Sequence, residues 1–140
     1  MVNFAWNIRK VVRIFFESQA AVRVHRSSKN TVQLKTKTLP SKLMDLSVGG
    51  CALESAVLLP VGSKIYVFLD RNFLRGPDTK TKKRQVSRIV GVVKNSRQLK
   101  NRKYRLGVQF ERVSAEDQRL IHGFITGHER RDEKRISFPT

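Results

Sequence analysis

Acidic residues are scarce in this chain: 11 Asp and Glu stand against 29 Lys and Arg in 140 residues, a formal charge of +18. The few carboxylates are scattered, which lends no support to enzymatic acid–base chemistry. Cysteine is scarcer still. Cys51 alone cannot close an internal bridge, which excludes a disulfide scaffold and fits a reducing, cytoplasmic setting. Cys51 has no neighbouring Cys or His, and His25, His122 and His128 share no metal-ligand spacing, which argues against zinc. Long apolar runs are also missing. The longest, Ile65 to Leu69, is far short of a membrane span. The apolar start of the chain is broken by Arg9, Lys10 and Arg13 and leads to no small-residue cleavage site, so it does not read as a signal peptide. There is no P-loop, no dinucleotide-binding glycine pattern and no serine in a nucleophile elbow. These absences predict a soluble, cytoplasmic, non-enzymatic protein that holds no metal or cofactor.

Positive charge is what the chain has in abundance. Such an excess attracts polyanions and anionic ligands, and it speaks about partners rather than fold. It is spread over most of the sequence, so charge alone does not separate a solubilising surface from a site for a nucleotide, a nucleic acid or an anionic membrane.

The length suits one domain with its own core. Alternation then marks short strands. Val22 and Val24 oppose Arg23 and His25; Val32 and Leu34 oppose Gln33 and Lys35. Leu43 to Leu46 runs into a Ser47-Val48-Gly49-Gly50 turn, and Cys51 to Glu54 leads out of it. After a turn at 59–63 comes Lys64 to Leu69, then Val86 to Val93. The clearest alternation sets Tyr104, Leu106, Val108 and Phe110 against Arg105, Gly107, Gln109 and Glu111. Residues 71–84 hold six basic residues and one acid around Gly76-Pro77, which predicts an exposed loop. Ser114 is placed to cap a helix, with Glu116 and Asp117 in its first turn and Leu120, Ile121, Phe124 and Ile125 on one face. Gly127 is a candidate stop. The prediction is a mainly β protein: five to seven short strands forming a small antiparallel barrel over 15–112, an amphipathic helix over 114–128 covering it, and a charged tail over 129–140.

Two stretches carry candidate chemistry. Arg9 and Arg13, four residues apart, offer planar donor forks that match phosphate oxygens or the O6/N7 edge of guanine. In so basic a chain this spacing also arises by chance. Asp45-x-Ser47-x-x-Gly50 is more specific. The carboxylate can accept from guanine N1–H and the N2 amine, the serine can bond a phosphate or base atom, and the glycine permits positive φ or close backbone approach. The same residues also fit a tight turn that bonds its own backbone. Phe4 and Trp6 suit either base stacking or docking on the core.

In this order the two stretches resemble the PilZ family of cyclic di-GMP receptors. The segment Arg9 to Phe16 is similar to the family's first motif, and Asp45 to Leu53 to its second motif with the following strand. Tyr104 to Phe110 with Ser114 to Asp117 resembles its last strand and the start of its final helix. The resemblance implies a six-stranded barrel binding cyclic di-GMP at one end, with Arg9 and Arg13 on guanine and phosphate and Asp45, Ser47 and Gly50 forming the other wall. On the receptor reading, residues 1–14 are expected to be a mobile segment that closes over the ligand, and a downstream protein partner to read the change. The competing expectation is a basic small-barrel nucleic-acid binder. It is weakened because Tyr104 and Phe110 share the inward parity of Leu106 and Val108 instead of forming an outward stacking platform.

Overall fold

The alternating segments pair as antiparallel strands and close on themselves. The computed structural model describes residues 19–28, 38–76 and 85–136, with side chains described as far as 127. Six strands form within these residues: β1 Ala20–Val24, β2 Leu39–Leu46, β3 Gly50–Ser55, β4 Lys64–Asp70, β5 Val86–Gln98 and β6 Tyr104–Arg112. They close into a barrel in the order β1-β2-β3-β6-β5-β4, so no strand edge is left along the main ladder.

The inward face of each strand carries the apolar half of its alternation. Val22, Leu53, Ile65, Val67, Leu69, Ile89, Val93 and Leu106 are fully buried inside the barrel. Val108 and Phe110 join them, as their parity predicts, and Tyr104 packs half-buried against the same cluster. A helix, α2 Ala115–Ile136, follows β6 and lays Ile121 into this core, with Leu120, Phe124 and Ile125 packed beside it. Among the described residues no helix is long and apolar enough to cross a membrane.

Several boundaries differ from the sequence reading. The predicted loop at 71–84 opens with a short helix, α1 Arg71–Arg75. Asp70 caps it, accepting from the backbone N–H groups of Asn72 at 3.0 Å and Phe73 at 3.4 Å, and Gly76 ends it at φ 98°. Strand β2 starts at Leu39 rather than Leu43, and Pro40 pairs opposite Ala21 despite its missing N–H. Strand β5 continues past Val93 to Gln98, where polar residues conceal it. Helix α2 runs through Gly127 rather than stopping there, because an interior glycine costs only about 1 kcal/mol. The alternation at Val32 and Leu34 lies outside the described residues.

The helix is tied to the barrel by polar bonds as well as by its apolar stripe. Ser114 caps it as predicted, its hydroxyl accepting from Asp117 N–H at 3.1 Å. The Asp117 carboxylate, 6% exposed, accepts from the buried Ser87 hydroxyl of β5 at 2.6 Å and from the Arg71 guanidinium at 3.1 Å. Arg71 also donates to Ser87 Oγ at 2.8 Å and to Glu116 at 3.2 Å. One buried carboxylate thus joins β5, α1 and α2. Replacing Asp117 with Ala leaves Ser87 and Arg71 without their acceptor, and we expect a loss of about 2 kcal/mol. Urea unfolding checks this: the midpoint should fall with the slope unchanged.

Candidate functional site

Strict alternation would turn Asp45 toward the core. Leu43 packs inward opposite Leu53, and a residue two places on shares its parity. The β2–β3 register shifts between Leu43 and Asp45, so Met44 is an extra residue. Beyond this bulge Leu46 faces inward opposite Cys51, and Asp45 stands exposed on the outer face opposite Ala52. Among the described residues its carboxylate has no hydrogen-bond or ion-pair partner.

The turn after β2 closes through Ser47. Its N–H donates to the Gly50 carbonyl at 2.8 Å, while its hydroxyl accepts from Gly50 N–H at 3.1 Å and donates to the same carbonyl at 3.2 Å. The hydroxyl remains exposed, with lone-pair capacity for a further donor. Gly50 is not held by positive φ; the positive-φ glycines among the described residues are Gly62 and Gly76. It is held by close approach: a Cβ there would meet the Val108 carbonyl oxygen at 2.2 Å. The adjoining Gly49 carbonyl accepts from Phe110 N–H at 2.9 Å.

Asp45, Ser47 and Gly50 share a groove of about 330 Å³ on the outside of the barrel. Its floor runs along Gly50 to Ala52 and Gly107 to Gln109, and Lys94, Asn95 and Arg105 line its other side. The volume is at the small end of the range for ligand sites. Cys51 is near the groove but points inward. Burial pushes its thiol up to about 12, with the Asp45 charge adding to the effect.

The predicted residues are therefore divided. Asp45, Ser47 and Gly50 come together; Arg9 and Arg13 lie outside the described residues, as do Phe4 and Trp6. Sequence reasoning missed Lys94, Asn95 and Arg105. The break in the β5 alternation after Val93 is the only signal for Lys94 and Asn95, and it resembles an ordinary strand end; Arg105 was legible only as an outward residue of β6. Sequence reasoning also missed two outward aromatics on β4. Tyr66 already meets the His25 ring at 4.8 Å and the Arg88 guanidinium at 5.0 Å, and Phe68 is only 3% exposed, so they form no open stacking platform. Among the described residues no group of His, Cys, Asp and Glu is set to hold a metal.

The family model described as PilZ domain matches residues 8–127. No curated protein matches the sequence closely enough to count as a relative. Solved structures that share the fold include the following two. One is the inhibitor of motility MotI/DgrA of Bacillus subtilis, with TM-score 0.56 and 13% identity over 80% of this chain. The chain spans about half of that protein, 48% of its length. The other is the PilZ domain of Escherichia coli YcgR with c-di-GMP, with TM-score 0.52 and 17% identity, covering 86% of this chain and 88% of that one.

Two outcomes follow from the packing around Gly50 and Cys51. Gly50→Ala must separate β3 from β6 and should cost about 1–3 kcal/mol in thermal unfolding without ligand, whereas Gly49, whose Cβ would meet nothing within 4 Å, tolerates Ala. With its pKa raised, Cys51 stays a neutral thiol at ordinary pH, and it should react with thiol reagents only after unfolding. Titrating free thiol with and without denaturant reads this directly.

Proposed function

The chain belongs to the PilZ domain family, and we propose that it is a cytoplasmic receptor for cyclic di-GMP that acts on a protein partner by binding rather than by catalysis. The observation that carries this reading is the unengaged Asp45 carboxylate, turned out by a bulge onto a groove beside Ser47. A carboxylate so placed accepts from guanine N1–H and the N2 amine, a donor edge that adenine, uracil and cytosine do not present in this form. Ser47 adds an acceptor, or a donor to phosphate, and Gly50 keeps the β3–β6 wall close. Arg9 and Arg13 take the opposite guanine edge and the phosphates. Residues 1–14 then order over the ligand, whose contacts in that state alone shift the equilibrium. A named ligand in the YcgR structure and an inhibitory role for MotI accord with a receptor whose ligand-bound surface is read by another protein.

Calorimetric titration at near-physiological salt tests the reading, with GTP and a short RNA as controls. Wild type should bind cyclic di-GMP at micromolar affinity or tighter. Asp45→Ala and Arg13→Ala should each weaken binding by about tenfold or more, close to 1.4 kcal/mol. RNA binding that is indifferent to Asp45→Ala, with no dinucleotide binding, would overturn it in favour of a polyanion binder.

A further inference from the structure

The β5 strand repeats, on the other side of the groove, the device that exposes Asp45. Val93 faces inward opposite Val108, and strict alternation would turn Asn95 inward as well. The β5–β6 register shifts between Val93 and Asn95, with Lys94 as the extra residue, and Asn95 is exposed opposite Gly107. Asp45, Ala52, Gly107 and Asn95 therefore form one cross-strand row on the outer face, spanning three interstrand steps, about 14 Å. The Asn95 carboxamide lies against Gly107, where a Cβ would meet its Nδ2 and Oδ1 at 2.5 Å. Like Asp45, neither Lys94 nor Asn95 has a hydrogen-bond or ion-pair partner among the described residues. Two bulges at one level thus aim a carboxylate from one side and an ammonium and a carboxamide from the other across the same groove.

We propose that Lys94 and Asn95 form the far wall of the nucleotide site, an assignment that rests on the cyclic di-GMP reading. A dinucleotide of this kind carries two phosphates as well as two bases, and Asp45, an acceptor only, suits a donor group and not a phosphate. Lys94 meets a phosphate oxygen with its three N–H donors. Asn95 offers a donor and an acceptor in one plane to a base or ribose edge. Gly107 is required beneath it because any side chain there would displace the carboxamide.

Three exposed positions on this hairpin test the wall: Lys94→Ala, Asn95→Asp and, as a control of equal charge loss outside the groove, Arg97→Ala. Cyclic di-GMP affinity is measured by calorimetry at two salt concentrations, and thermal unfolding confirms that each variant folds. Lys94→Ala should weaken binding by about tenfold and flatten its salt dependence. Asn95→Asp, which sets a carboxylate against the ligand, should weaken it by at least about tenfold, while Arg97→Ala stays within about twofold. If wild type binds and Lys94→Ala and Asn95→Asp bind like it, the far wall is overturned and the receptor reading stands. Equal weakening by Lys94→Ala and Arg97→Ala also overturns the wall, since only general charge is then at work. A wild type that does not bind the dinucleotide overturns both.

Discussion

In a closed barrel each strand has one face committed to the core, and strict alternation then decides which side chains reach the outside. An unbroken β2 that turns Leu43 inward would turn Asp45 inward, and an unbroken β5 that buries Val93 would turn Asn95 inward. Burying either without partners would cost several kcal/mol for the carboxylate and about 1–3 for the amide. The extra residues Met44 and Lys94 resolve the conflict by restarting the alternation one place out of phase. The outward placement of Asp45 and Asn95 follows from those two insertions. They leave the inner row of Leu46, Cys51, Val108 and Val93 intact while the outer row changes character.

The groove is also where the barrel is tightest. Gly50 admits the Val108 carbonyl at a distance no side chain tolerates, and the Ser47 hydroxyl holds the turn through the same residue. Fold and site are therefore not separable at this motif. A glycine chosen for ligand clearance and a glycine chosen for strand approach look identical in sequence, and here the strand packing alone requires it. Far from the groove, the bonds joining Ser87, Asp117 and Arg71 fix α2 against β5 and α1. They give the apolar stripe of the helix a defined register on the core, which dispersion and burial alone specify weakly.

The strands and the helix were legible because their alternations are clean. Leu106, Val108 and Phe110 read inward, and Ser114 with Asp117 read as a helix start, from residue types and spacing alone. The motif Asp45-x-Ser47-x-x-Gly50 was legible as a pattern, but its geometry was not. Leu-Met-Asp-Leu gives no indication that Met44 is the residue outside the ladder, since a bulge is set by the partner strand's register. The same holds at Lys94, where a run of polar residues looks like the end of a strand. Helix α1 was hidden because Asp70 looks like the last residue of a strand and acts as a cap only once the chain turns. Arg9 and Arg13 rest on sequence and family membership.

Charge decides between the two classes of polyanion partner less than its size suggests. A net +18 strengthens the approach of any phosphate, whether in a dinucleotide or in RNA, and does so without discrimination. Discrimination needs a group that favours one ligand and penalises another. Asp45 is such a group: among the described residues that line the groove it is the one acid, where Lys94 and Arg105 also stand. A nucleic-acid backbone tracking this surface would bring phosphates toward a carboxylate and gain nothing from it. A guanine edge brings two N–H donors, and each satisfied charge-assisted bond is worth about 1.5–3 kcal/mol. A chain with so few acids, with a bulge that turns one of them outward, has a groove suited to a base and not merely to its phosphates.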